Sequence, residues 1–265
     1  MMRKMIINAD DFGMSEAVNF GVIKGYSDGI VSSTTLMVNM PAAEHAITLA
    51  KTVPDLFIGQ HTNFVLGKPC SKPKEIPSLV DADGFFLGSK DYKTGMRKFV
   101  YEDVKIEAIA QMERFKELTG HYPQHIEGHS ASDQAVGRAF YEIAKQYKIH
   151  ASKFSGYTQH SLEDYTTTVP VSLGIRDVSE RCILVEDFLE DRFKLMQVSD
   201  EKVVELHLHP GYIDQFVLEH STLTIPRCRD LATLCDSRVK EWIEGNNISL
   251  ISFGDLKKIT KKGSC

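Results

Sequence analysis

The chain has 265 residues, 42% of them hydrophobic and 25% charged, an ordinary globular composition that allows one large barrel or two small domains. Its formal net charge of −5 lacks the basic footprint of a nucleic-acid binder. No stretch approaches the length of a membrane-spanning helix, so small-molecule chemistry stays open.

Met5-Ile6-Ile7-Asn8-Ala9 is a short apolar run that predicts a buried strand. Ser15 through Tyr26 predicts a helix, capped by Ser15, with Val18, Val22 and Tyr26 on one face. Asp28-Gly29 ends it with turn chemistry. Val31 to Val38, rich in Val, Thr and Leu, predicts a second strand, and Pro41 to Lys51 a helix with Pro in its first turn. Leu56 to Gly59 predicts a third strand with His61 just past it. An irregular region follows at about 65–96, holding Pro69, Pro73 and Pro77 with Gly67, Gly84 and Gly88. Loops of this length inside a compact domain often serve as lids or binding segments.

Glu102 to Leu118 predicts an amphipathic helix with Gly120 as its stop. His125 to Glu127 predicts a short strand leading to His129, and Asp133 to Tyr147 another helix. Lys148 to Phe154, Thr167 to Val171 and Arg181 to Val185 read as strands, and Glu186 to Met196 as a helix. Val203 to Leu208 predicts a strand that runs straight into His209-Pro210-Gly211. Pro226 to Glu244 reads as one long helix carrying the only Trp, Trp242, and Ile248 to Phe253 as the final strand, with a short helix from Gly254. Strands alternating with helices argue for a mostly parallel sheet. The first choice is an α/β protein of one domain, 1–265: a single irregular (β/α) barrel, TIM-barrel-like, with a loop insertion at about 65–96. An open doubly wound sheet is the alternative. In both, ligands gather at the carboxyl ends of strands, where the residues of interest fall.

Asp10-Asp11 offers two carboxylates at such an end. One can ligate a metal while the other accepts a proton. The plainer alternative is that one Asp caps the helix beginning near Ser15. His61 and His129 are candidate metal ligands, since neutral imidazole is a common ligand for zinc and other transition metals. Either alone reads as an ordinary histidine; the three strand ends together point to a metal. His207 and His209 lie on one side of a strand, with Pro210-Gly211 able to aim His209 into a pocket as a proton donor. His207 is its neighbour with no assigned role. His45, His121, His125, His150, His160 and His220 have no supporting partners and read as background. Asp11-Phe12-Gly13 matches the metal motif of protein kinases, but the rest of the kinase set is missing. The chain also has no Walker loop and no dinucleotide fingerprint.

The five cysteines, Cys70, Cys182, Cys228, Cys235 and Cys265, are odd in number and fit neither a zinc nor a redox spacing. They read as free thiols in a reducing compartment. The apolar run after Met1-Met2-Arg3-Lys4 is too short for a signal peptide. The expected location is cytoplasmic, with no membrane or nucleic-acid partner, and a homodimer is the default oligomer.

The run Ile7-Asn8-Ala9-Asp10-Asp11-Phe12-Gly13-Met14-Ser15 closely resembles the start of the YdjC-like carbohydrate deacetylases, which include chitooligosaccharide deacetylases. Gly29 to Asn39, Ile58 to His61, Ser78 to Phe85, Pro123 to His129 and His209-Pro210-Gly211 are similar too, so the resemblance spans nearly the whole chain. It implies an irregular (β/α) barrel related to the polysaccharide deacetylases and hydrolysis of an N-acetyl group from an amino sugar or short chitooligosaccharide; Lys68, Lys72 and Lys74 of the long loop could meet an anionic group and suggest a 6-phosphorylated form. It also implies one divalent metal; two His and one Asp suit zinc, and oxygen-rich open sites also accept magnesium, manganese or cobalt. Carried over by position, Asp11, His61 and His129 would ligate the metal, Asp10 would be the general base and His209 the general acid. Rival readings are an amidase acting on a non-sugar, or a sugar- or metabolite-binding protein that kept the metal site. The chain departs from the family at Glu127-Gly128-His129-Ser130-Ala131-Ser132-Asp133, where a histidine-rich run is usual, and at His207.

Overall fold

The structure is a computed structural model that describes residues 2–131, 133–152, 168–173 and 182–256. Its strands are β1 (Arg3–Phe12), β2 (Ser33–Leu36), β3 (Phe57–Asn63), β4 (His125–His129), β5 (His150–Ala151), β6 (Thr168–Pro170), β7 (Val203–Leu208) and β8 (Ile248–Leu250). All their pairings are parallel, in the order β5-β4-β3-β2-β1-β7-β6, with β8 beside the first residues of β1. The helices are α1 (Glu16–Ser27), α2 (Ala43–Ala50), α3 (Ser89–Lys93), α4 (Tyr101–Thr119), α5 (Gln134–Tyr147), α6 (Val185–Leu189), α7 (Gln215–His220), α8 (Ile225–Leu234) and α9 (Ser237–Gly245). This is the irregular (β/α) barrel that the alternation predicts. Among the described residues no pairing joins β5 to β6. No helix among them is long and apolar enough to cross a membrane.

Strand alternation sorts the side chains. Ile7, Ala9, Leu206 and Leu208 face outward and pack with Val18 and Val22 of α1 in the larger core. A second core joins α4, α5 and the long loop through Ile76, Leu79, Val104, Met112 and Phe140. Facing inward, Ile6, Val203, Phe253 and Leu256 close the floor of the barrel, helped by Phe57 and Ile251. Above that floor the interior is polar, and the site is built there.

Helix α4 carries a second, polar stripe at four-residue spacing that fixes its surroundings. Asp103 accepts from the backbone N–H and hydroxyl of Ser78, and Glu107 from the N–H groups of Cys70 and Ser71 and the Ser71 hydroxyl. Gln111 exchanges two hydrogen bonds with the backbone of Asn63, at 3.0 and 2.6 Å, and so pins the end of β3. The 65–96 loop is therefore tied down at several points and contains a short 3-10 turn at Pro73–Glu75 as well as α3.

Four expectations are corrected. Pro226 to Glu244 is two helices, because Asp236 accepts from Arg238 N at 2.9 Å and starts α9 afresh. Cys182 to Leu184 is not a strand: the N–H of Ile183 goes to Asp230 and that of Leu184 to Asp187, each at 2.8 Å, and Val185 opens α6. The expected helix to Met196 stops at Leu189, since Asp191 (φ 48°) and Lys194 (φ 59°) are left-handed. His61 lies inside β3 rather than past it, and α7 went unpredicted. Arg181, His160 and the ends of two predicted strands, Phe154 and Thr167, lie outside the described residues.

Candidate active site

In a regular strand Asp10 and Asp11 would point to opposite faces. Here the register of β1 against β2 shifts between Ala9 and Phe12, and Asp11 adopts φ 69°, left-handed for a non-glycine residue. That bulge brings both carboxylates into the barrel mouth, Asp11 fully buried and Asp10 nearly so. Neither caps α1, because the Ser15 hydroxyl does so itself by accepting from Val18 N. Strained backbone of this kind recurs where a side chain must be aimed.

Asp11 Oδ1 lies 3.1 Å from His61 Nε2 and 2.8 Å from His129 Nδ1, and those two nitrogens are 3.3 Å apart. Three donor atoms from β1, β3 and β4 thus converge on one point. The other oxygen of Asp11 is held by the buried guanidinium of Arg227, with Nη2 at 2.7 Å. Burial alone would raise Asp11, but His129 and Arg227 outweigh it and keep the carboxyl well below its ordinary value. Burial would likewise lower His61; its hydrogen bonds to Asp11 and Glu127 prevail and push the imidazole up to about 10.

Asp10 sits beside this cluster. Its Oδ1 accepts from Asn8 Nδ2 at 2.8 Å and lies 3.3 Å from His207 Nδ1, while Oδ2 lies 3.8 Å from His209 Nε2. His209 follows β7 at once. Its backbone N–H donates to Asp230, and Gly211 beyond it packs against Gly21 of α1, where a Cβ would stand 2.4 Å from the Gly211 Cα. Burial lowers His209 below its ordinary value and raises Asp230 to about 7.

All five residues singled out in the sequence therefore meet at one end of the barrel. Several others that share the site were not foreseen. Glu127 accepts from His61 Nδ1 at 2.9 Å and from His207 Nδ1 at 2.8 Å. Its neighbours Asn8 and Thr35, and the distant Arg227 and Asp230, were also missed; nothing in a single sequence marks an Arg on α8 as the partner of an Asp on β1. His125 and His150, read as background, stack with Phe253 in the interior below. Of the three aromatic rings in the 65–96 loop, Phe86 is in the core and Tyr92 stacks on Phe99 at 3.8 Å. Phe85 alone of the three is exposed, with Lys68 Nζ 4.7 Å over its ring.

Comparison with known proteins decides the family. The pattern of the YdjC-like protein family matches residues 4–245. The chain belongs to the YdjC-like family. Among its YdjC-like relatives is carbohydrate deacetylase 2 of Listeria innocua serovar 6a, 35% identical over 262 residues and covering 96% of this chain and 99% of its own. The carbohydrate deacetylase of Clostridium beijerinckii is 35% identical over 257 residues, covering 96% and 100%. A crystal structure of a putative cellobiose-phosphate cleavage protein from Enterococcus faecalis superposes with a TM-score of 0.84 at 28% identity, covering 97% of this chain and 99% of that one. The Xyl-CE4 domain of a multidomain xylanase from the hindgut metagenome of Trinervitermes trinervoides shares the fold, with a TM-score of 0.50 at 11% identity, covering 99% and 92%.

The donor set of this YdjC-like chain fits a divalent metal. One carboxylate oxygen and two imidazole nitrogens lie close enough to share an ion and leave positions for water and substrate. In a second grouping, Asp10, His61 and Glu127, the ligand atoms also lie within 4.8 Å of one another. Its carboxylates are already served by donors from Asn8, Thr35 and His207.

Proposed function

We propose that the protein is a metal-dependent carbohydrate deacetylase that hydrolyses the N-acetyl group of an amino sugar or short chitooligosaccharide and releases acetate. The observation that carries this is the placing of Asp10 and His209 side by side, next to the Asp11, His61 and His129 cluster, at the carboxyl ends of the strands. The names of the curated relatives support the sugar as the amide's carrier.

An amide is a poor electrophile and an amine a poor leaving group. A divalent ion held by Asp11, His61 and His129 would supply polarisation of the acetyl carbonyl and a lowered pKa for water. Asp10 Oδ2 takes the proton as water attacks. His209 is neutral at the start, because burial disfavours its charged form. It receives that proton at Nε2, which lies 3.8 Å from Asp10 Oδ2, and delivers it to the departing sugar nitrogen. One proton thus travels from water to amine with no net uptake. Phe85, the exposed ring of the long loop, is the candidate to stack on a pyranose face, with Lys68 already over one side of it.

The test is acetate release from diacetylchitobiose and its 6-phosphate, by metal-stripped protein and after adding zinc, magnesium, manganese or cobalt. Metal-dependent acetate is expected. Folded protein that releases none with any metal refutes the proposal and favours another amide or a binding role. The phosphate rests on Lys68, Lys72 and Lys74 of the loop. Neutralising all three should raise KM for the phosphorylated sugar alone, and an equal rise for both sugars would remove it.

A further inference from the structure

Beneath the cluster lies a carboxylate that this chemistry does not use. Glu127 is 4% exposed, yet it is not a lone buried charge. Its Oε1 accepts from His61 Nδ1 at 2.9 Å, Asn8 Nδ2 at 3.1 Å and the Thr35 hydroxyl, and its Oε2 from His207 Nδ1 at 2.8 Å. An ionised carboxylate only accepts, so His61 in its neutral form carries its proton on Nδ1 and turns the lone pair of Nε2 toward Asp11 and His129. That is the tautomer a metal needs.

The same carboxylate reaches Asp10. His207 Nδ1 is shared between Glu127 Oε2 and Asp10 Oδ1, at 2.8 and 3.3 Å, and Asn8 Nδ2 bridges the same two residues. His207 Nε2 is 3.7 Å from Glu205, a third buried carboxylate, so the ring is bracketed by acids on both edges. Asp10 Oδ1 is thereby committed to the interior, and Oδ2 is left to face His209.

We propose that Glu127 is a positioning residue that fixes the metal-binding tautomer of His61 and, through His207, aims Asp10 so that only Oδ2 meets the reacting atoms. This rests on the reading of Asp11, His61 and His129 as metal ligands and of Asp10 as the base. It goes beyond that reading because it makes one buried acid responsible for both halves of the site, and it gives His207 a role.

The experiment measures zinc affinity of the metal-stripped protein by competition with a chromophoric chelator, alongside kcat and KM for acetate release. Glu127→Gln should weaken zinc roughly 10- to 100-fold, the usual effect of losing a ligand's supporting acceptor. Glu127→Asp, which keeps the charge but retracts it by one methylene, should lose less and serves if the first variant does not fold. His207→Gln should keep the parent's zinc affinity and lower kcat roughly 10- to 100-fold at unchanged KM, as expected for a misaimed group. Parent-like zinc binding in the Glu127 variants, or parent-like kcat in His207→Gln, overturns the inference alone. Failure of both Glu127 variants to fold assigns the acid a structural role and also overturns it. A parent that binds no zinc, or an Asp10→Asn variant with parent-like turnover, overturns the underlying reading and this inference with it.

Discussion

Arg227→Met tests how the cluster tolerates its charge. Asp11 and Arg227 are buried, 2.7 Å apart, and the guanidinium is further held by Leu223 O, which accepts from Nε at 2.8 Å. Methionine keeps most of the volume and removes the cation. Breaking a buried pair by deleting one partner costs about 3–5 kcal/mol, because the surviving charge is left uncompensated. Asp11 still has His61 and His129, so the lower end applies. At roughly 2–4 °C per kcal/mol for a chain of this size, the metal-stripped variant should melt about 6–12 °C below the parent. A metal at a hundred times its Kd adds about 2.7 kcal/mol to the parent. In the variant the ion also replaces the positive charge that Asp11 lost with the guanidinium, so the rise on adding zinc should be larger than the parent's. Calorimetry of stripped and zinc-loaded protein reads both numbers. An equal loss of Tm in the two states would show that Arg227 contributes packing alone, and would refute the charge argument.

Asp10→Asn should lower kcat roughly 10²- to 10⁴-fold with zinc affinity retained; calorimetric titration with the metal beside an acetate assay checks it, and near-normal turnover removes Asp10 as the base. Gly21→Ala should force α1 away from Gly211 and cost about 1–3 kcal/mol while lowering kcat, because the added Cβ meets backbone and not a flexible side chain; a parent-like urea midpoint contradicts it. Asp230, raised by burial to about 7, stabilises the fold fully below its unfolded value near 4 and loses that contribution as pH rises through 7. The Tm difference between Asp230→Asn and parent should therefore move in favour of the variant between pH 4 and 7, whatever constant offset the lost acceptor brings, and a flat difference refutes the burial argument.

The barrel was legible because its signals are local. Short apolar runs ending in polar residues, a serine cap before α1, and Gly120 closing α4 in a left-handed turn (φ 85°) each follow from a few neighbouring side chains. Two of the misreadings share one cause: a carboxylate captured a backbone N–H that periodicity assigned to a strand or helix. Asp230 and Asp187 do so at Ile183 and Leu184, and Asp236 at Arg238. The site divides in the same way. Asp10, Asp11, His61, His129 and His209 stand out because a metal and a base need those residue types at strand ends. Arg227 and Asp230 on α8 reach the site only after the chain has wound round the barrel, so no spacing could announce them. Glu127 is the instructive case. It lies two residues before His129 on the same face of β4, in plain sight, but its value depends on His61, Asn8, Thr35 and His207 arriving from four other strands. A residue whose role is to orient others carries no chemistry of its own for a sequence to display, and it becomes visible only when its partners are in place.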